Sequence, residues 1–302
     1  MTGIYNNRLV YDNISDHIVW SVLGEKYSKL DYSRSQDQKF QFDYKIPKDL
    51  HFQDYKTEVQ SAVVKLFQRH NKTLAICLSG RDSEIIVREA VNMGIPCKIY
   101  FLHLWDMNDW MLKIVNDIAR ELRVELIVVP LSEEQCMEEV IFNSYKIICT
   151  VKPTYVCLPY LFDNIPKDEL IVCGEGDLAK DNPIFRRFYK ENSTGIPILS
   201  TEIAYRIYAQ ENQRYGEYYF HSSTPELVLA AYNDPRVKFT PPSIQTHGMI
   251  MHYWPKMKFT VKSLNWENGQ EKNKLISETL LKLNRQKEWA AGCLVPHQSV
   301  AR

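Results

Sequence analysis

Thr73-Leu74-Ala75-Ile76-Cys77-Leu78-Ser79-Gly80-Arg81-Asp82-Ser83 is the stretch on which the fold turns. Its first part, through Leu78, is a short continuous apolar run. Such a run fits a strand buried on both faces, as in a parallel sheet. The small polar segment follows at once. Glu84 to Met93 then predicts a helix closed by Gly94. Upstream, Tyr55, Val59, Ala62, Val63, Leu66 and Phe67 recur at helical spacing, so a helix runs into the strand and ends near His70-Asn71.

Downstream the unit repeats. Lys98 to Leu104 reads as a second strand, and Trp110, Met111, Ile114, Ile118 and Leu122 mark a helix. Glu125 to Val129 is a third strand, and Ser132 starts another helix with Glu134 and Gln135 in its first turn. Leu170 to Cys173 is a further strand. The alternation predicts an α/β fold with a doubly wound parallel sheet and right-handed crossovers. After Pro197 the strands are expected to stop. Glu202 to Asn212, Pro225 to Tyr232 and Glu271 to Trp289 read as helices, the second with Thr224 as cap and Pro225 in its first turn. The expected organisation is an N-terminal segment (1–52), an α/β domain (53–200) and a mostly helical C-terminal part (201–302). Residues 1–52 are polar and rich in aromatics, with short extended segments at Arg8-Leu9-Val10-Tyr11 and Lys39 to Tyr44.

Bulk properties narrow the function classes. Lysine plus arginine and aspartate plus glutamate both number 37 in the 302 residues, so the formal net charge is zero. No global field draws the chain to nucleic acid or to a membrane surface. The longest apolar stretches are far short of a membrane span, and Met1 to Leu9 lacks the apolar core of a signal peptide. The seven cysteines are odd in number and form no C-x-x-C pair. Buried free thiols in a reducing compartment are the natural reading, and the expected location is cytoplasmic.

Open α/β sheets bind ligands at the carboxyl ends of their strands. Ser79-Gly80-Arg81-Asp82-Ser83 stands at such an end. The glycine lets the backbone approach a ligand, and the N–H groups of the helix start form an anion nest aided by the helix dipole. Ser79 and Ser83 add hydroxyls, and Arg81 adds a full positive charge. Asp82 repels phosphate, so its expected part is to help hold a magnesium ion or to shape the loop. A polar turn without a ligand is the plain alternative. The buried strand before it, the helix after it and the repeated βα units weigh against that alternative.

Leu78-Ser79-Gly80-Arg81-Asp82-Ser83 resembles the S-G-G-x-D-S signature of the PP-loop ATP pyrophosphatases. The helix from Tyr55 to Phe67 is similar to the one leading into this loop in the synthetase domain of asparagine synthetases. Asn108 through Val129 resembles the helix and strand that follow the second strand there. Val172-Cys173-Gly174-Glu175-Gly176-Asp177 looks like the second loop, G-E-G-x-D-E. The resemblance covers residues 54–235 in order and implies a fold of the HUP/PP-loop type. It also implies that ATP is split between its α and β phosphates. An acceptor carboxylate or carbonyl oxygen takes the adenylyl group, pyrophosphate leaves, and ammonia or another amine displaces AMP. On the family pattern Ser79, Gly80, Asp82 and Ser83 contact pyrophosphate and magnesium, with Arg81 beside them. Leu78, Leu102 and His103 hold adenosine through backbone groups. Gly174, Glu175, Gly176 and Asp177 face the acceptor or the metal, so Asp82 and Asp177 are the metal candidates. Both loops are one residue shorter than the pattern: only Arg81 separates Gly80 from Asp82, and Asp177 follows Gly176 directly.

Residues 1–52 leave no room for a glutaminase domain, so the amine is expected free, from a partner, or of another kind. Among the basic residues after the second loop, Lys180 is the candidate for meeting phosphate charge. Arg186, Arg187 and Lys190 read as a solvated surface. His247 with His252, and Cys293 with His297, lack the further ligand that a metal site needs. Tyr215, Tyr218, Tyr219 and Phe220 beside His221 read as core packing or a subunit contact rather than base stacking. The expectation is an ATP- and magnesium-dependent ligase acting on a small-molecule or nucleobase acceptor, with no membrane partner and homo-oligomerisation left open. A tRNA- or nucleobase-modifying PP-loop enzyme and a non-catalytic ATP-binding protein are the alternatives.

Overall fold

The computed structural model describes residues 3–5, 8–11, 18–23, 39–44, 50–136, 153–174, 212–214, 216–240 and 243–259. Near the N-terminus, β1 (Gly3–Tyr5), β2 (Arg8–Tyr11), β3 (Ile18–Leu23) and β4 (Lys39–Tyr44) form an antiparallel meander in sequence order. The two extended segments expected there are strands of it.

The second sheet has five strands: β5 (Leu74–Cys77), β6 (Cys97–Leu104), β7 (Leu126–Leu131), β8 (Leu170–Cys173) and β9 (Gly216–Glu217). Their spatial order is β7-β6-β5-β8-β9, and every pairing is parallel. Around it lie α1 (Tyr55–His70), α2 (Arg81–Asn92), α3 (Asp109–Leu122), α4 (Pro153–Asp163) and α5 (Pro225–Asn233). A hairpin of β10 (Lys238–Thr240) and β11 (Ser243–Gln245) leads into the short α6 (His247–Tyr253).

The alternation of side chains along a strand divides the core in two. Leu74, Ile76, Ile99, Phe101, Leu170 and Val172 face one cluster, shared with α1, α2, α3, α5 and the segment through Phe259. Ala75, Cys77, Tyr100, Leu102, Ile171 and Cys173 face the other, shared with Cys157, Leu161 and Phe162 of α4. Helices therefore cover both faces, which is why these strands read as unbroken apolar runs. The architecture is α/β and compatible with the Rossmann-like class.

Local chemistry explains the helix ends. Asp54 caps α1 by accepting from the Thr57 N–H at 3.1 Å, and Asn71 ends it in the left-handed region at φ 48°. Ser132 and Gln135 form a reciprocal capping box, each side chain accepting from the other's backbone N–H at 3.1 Å. Thr224 caps α5 through the Leu227 N–H, with Pro225 at the first helical position, as the sequence predicts.

Three expectations are corrected. Helix α2 begins at Arg81 rather than Glu84, so Arg81 to Ser83 form its first turn. Helix α4 has no counterpart among the expected elements, and Pro159 stands inside it. Strands continue after Pro197, as β9, β10 and β11. At two or three residues each, they are too short to print a period. The expected helices at 202–212 and 271–289 fall almost entirely outside the described residues.

Candidate functional site

The chain runs β5, β6, β7 outward to one side, then returns to place β8 on the other flank of β5. The strand order thus reverses between β5 and β8, and a crevice at such a switch point is where open α/β sheets take ligands. The segments leaving those two strands are the two glycine-bearing loops, Ser79-Gly80 after β5 and Gly174 after β8.

Leu78 is buried, and its N–H continues the ladder to the Tyr100 carbonyl at 2.9 Å. The backbone then leaves the sheet. Gly80 is extended (φ 177°, ψ −170°), and α2 starts with the Glu84 N–H donating to the Gly80 carbonyl at 3.0 Å. The Ser83 hydroxyl closes the turn. It accepts from the N–H groups of Ser79 (3.1 Å) and Gly80 (3.3 Å) and donates to the Gly80 carbonyl (3.1 Å). Ser83, expected to face a ligand, is buried and directs its hydroxyl into the loop. A Cβ placed on Gly80 would meet nothing within 4 Å.

Asp82 projects into solvent from the first turn of α2, with 45% of its side chain exposed. Its charge suits the positive helix end. Arg81 does not, because a cation there opposes the dipole. Its Nε lies 3.8 Å from the Asp82 carboxylate, beyond hydrogen-bond reach, and is buried without a hydrogen-bond partner. Its terminal nitrogen is 3.5 Å from the Thr246 hydroxyl.

The second loop touches the first. Gly174 bridges to Tyr219, and a Cβ on Gly174 would lie 2.5 Å from the Ser83 nitrogen and 2.9 Å from the Asp82 carbonyl carbon. No side chain other than hydrogen fits there. The expected residues Glu175, Gly176, Asp177 and Lys180 lie outside the described residues.

At the end of β6, the Leu102 carbonyl and the His103 ring both have partners within the protein. The Asn108 carboxamide donates to the Leu102 carbonyl and accepts from the Leu104 N–H, both at 2.8 Å, as a strand partner would. The His103 ring is bonded to Asp109 through Nε2 at 2.6 Å. His103, with Trp105, Leu131, Ser132, Gln135 and Tyr160, lines an open cleft of about 630 Å³ along β7. None of residues 78–83 borders that cleft. Trp105 has φ 33°, an uncommon value for a bulky residue.

The sequence reading missed three supports. His221 is buried, with Nε2 3.1 Å from the Asp82 carbonyl oxygen and Nδ1 2.8 Å from the Tyr55 hydroxyl. Glu84, fully buried one turn into α2, accepts from Arg88 Nε and from the backbone N–H groups of Lys258 and Phe259, each at 2.8 Å. Glu89 accepts from Trp254 Nε1 at 2.5 Å and from Gln60 at 2.7 Å. Tyr218, Tyr219 and Phe220 are buried in the core, as their core-packing reading expects. Among the described residues, no group of three His, Cys, Asp or Glu side chains is placed to hold a metal.

No family model matches the chain, and no curated protein matches it.

Proposed function

We propose that the chain binds ATP with its phosphates over Ser79, Gly80 and the first turn of α2, and that it is an AMP- and pyrophosphate-forming ligase of the PP-loop type. The observation that carries this reading is the meeting of the two glycine loops at the switch point, where Gly174 packs against the Asp82–Ser83 peptide. The five-strand order and the helices on both faces agree with the HUP-type sheet that the resemblance implies. Two further features support an anion. Gly80 has neither a left-handed φ nor a neighbour to make glycine necessary, so the open space above it suits an approaching phosphate. Arg81 keeps a positive charge where the helix dipole disfavours one, and a bound polyphosphate reverses that penalty.

In this reading Ser83 sets the loop shape while the N–H groups of the first turn face the phosphates. Arg81 balances their charge, and Asp82 is the exposed oxygen donor available to magnesium, with Asp177 as its expected partner. Magnesium, when bound, supplies charge neutralisation of the leaving pyrophosphate. The acceptor is a carboxylate or carbonyl oxygen of a small molecule or nucleobase, and the second nucleophile is ammonia or another amine.

Titration calorimetry with ATP and magnesium tests the first half, and absence of binding overturns the whole reading. Arg81→Gln should weaken binding about tenfold, equivalent to 1.4 kcal/mol, while leaving the free protein as stable or slightly more so. Pyrophosphate release with candidate acceptors and ammonia tests the second half. Binding without release favours the second reading, a nucleotide-binding protein without turnover. Both loops being one residue short, and Ser83 occupying the Ser79 and Gly80 N–H groups, point that way.

A further inference from the structure

The Asp82–Ser83 peptide is held from two sides by residues far away in sequence. His221 approaches its carbonyl oxygen at 3.1 Å, and Gly174 packs against its nitrogen so closely that a Cβ would lie 2.5 Å away. We infer that His221 is a positioning residue for the phosphate loop, aiming the Ser83 N–H at the bound anion by fixing the carbonyl of the same peptide. The inference rests on the ATP reading above for the identity of that anion.

A peptide unit is planar, and its C=O and N–H point in opposite directions. A hydrogen bond that fixes the Asp82 carbonyl therefore fixes the Ser83 N–H. That N–H belongs to the first turn of α2, whose N–H groups have no partner within the helix. The ring orientation is itself set. With Nε2–H donating to Asp82, Nδ1 is left as an acceptor, and the Tyr55 hydroxyl donates to it at 2.8 Å. Tyr55 is the first residue of α1, buried and edge-on to Trp254 at 5.9 Å between ring centres. The Gly174–Tyr219 bridge carries the chain to His221 two residues later. The same bridge thus delivers both contacts to one peptide, the glycine on its nitrogen and the imidazole on its oxygen.

Two substitutions separate aiming from packing. His221→Leu removes the donor. His221→Gln keeps an N–H that can reach the Asp82 oxygen. The readouts are amide hydrogen exchange across residues 79–84 in the free protein and the affinities for magnesium ATP and for pyrophosphate. Losing one hydrogen bond corresponds to about 3- to 10-fold in affinity. His221→Leu is expected to show that loss and faster loop exchange, and His221→Gln to restore both. Wild-type exchange and affinity in His221→Leu overturn the inference. Equal impairment in the two variants also overturns it, because packing would then explain the effect. If the unaltered protein binds neither probe, the ATP reading fails, while the exchange measurement still decides the role of His221. Should His221→Leu not fold, Tyr55→Phe takes its place: faster loop exchange supports the inference, and wild-type exchange overturns it.

Discussion

A methyl group on Gly80 would meet nothing within 4 Å, and the extended backbone there accepts any residue. A methyl group on Gly174 would lie 2.5 Å from a backbone nitrogen of α2 that cannot move aside cheaply. The two glycines of the site therefore make opposite predictions. Gly80→Ala should leave stability within about 1 kcal/mol of the original, with any change upward, because alanine narrows the unfolded ensemble. On the ATP reading proposed above, its affinity for ATP should nevertheless fall about tenfold or more, or 1.4 kcal/mol, since the methyl would occupy the space which that reading assigns to phosphate. An alanine variant that binds ATP undiminished would remove the ligand from that space. Gly174→Ala should cost about 1–3 kcal/mol by overpacking and, on the same reading, lose ATP binding as well, because the displaced atoms belong to the peptide proposed to aim the Ser83 N–H. Thermal melts beside calorimetry on the same two proteins give both comparisons.

Helix α2 shows what an element conceals from its sequence. Glu84, Arg88 and Glu89 are charged residues of a kind that ordinarily faces solvent, yet Glu84 and Glu89 are fully buried. They accept hydrogen bonds from residues 254–259, more than 160 positions later. Arg88 completes the clamp, reaching Glu121 of α3 at 2.9 Å and the Lys256 carbonyl at 3.1 Å. The β5-loop-α2 unit was legible because burial on two faces leaves an apolar run, and the Ser132, Thr224 and Gly94 punctuation was legible because caps act locally. The clamp and His221 were not, because their partners are backbone groups and distant side chains that no spacing encodes. Glu84→Gln tests the clamp. It turns one oxygen that now faces backbone N–H donors into a donor itself, and it strips Arg88 of a buried charge. The expected cost is about 3 kcal/mol or more in urea unfolding at neutral pH. Glu125→Gln, which removes an exposed partner of Lys98, should cost less than about 1 kcal/mol. Equal losses in the two would mean that the C-terminal segment is not held through Glu84.

Over the whole molecule, the carboxylates that tie elements together set how it meets acid. Asp234 follows α5 and accepts from Arg236 through its backbone N–H (2.9 Å), Nε (2.8 Å) and terminal nitrogen (2.8 Å), and from the Tyr253 hydroxyl of α6 (3.1 Å). Burial alone would raise its pKa, but these bonds outweigh burial and hold it below the ordinary value. Glu121 is held low first by its hydrogen bonds to Lys258 and Arg88, and at Asp54 burial would raise the pKa but the Thr57 bonds of its cap, with other backbone bonds, together outweigh it. A carboxylate with a lowered native pKa contributes stability that is complete above its unfolded value. That stability is lost as pH falls through the native one. His70 acts in the same direction: burial, then Arg69 and Lys72, keep its imidazole from protonating as readily as in the unfolded chain. Its penalty appears as pH drops below about 6.5. The melting temperature should thus fall gently from pH 7 to pH 5 and steeply below about pH 4. Asp234→Asn should lower it at pH 7 by the loss of a charged hydrogen-bond acceptor, about 1.5–3 kcal/mol. The same variant should narrow the gap between pH 7 and pH 3.5, because one of the groups that must take up a proton is gone. A gap of unchanged width, measured by thermal melts at the two pH values, would show that Asp234 carries none of the acid sensitivity. The remaining sensitivity would then be sought at Glu121, whose partners are Arg88 of α2 and Lys258 of the segment that closes over it, and at Asp54, whose partner Thr57 lies on α1.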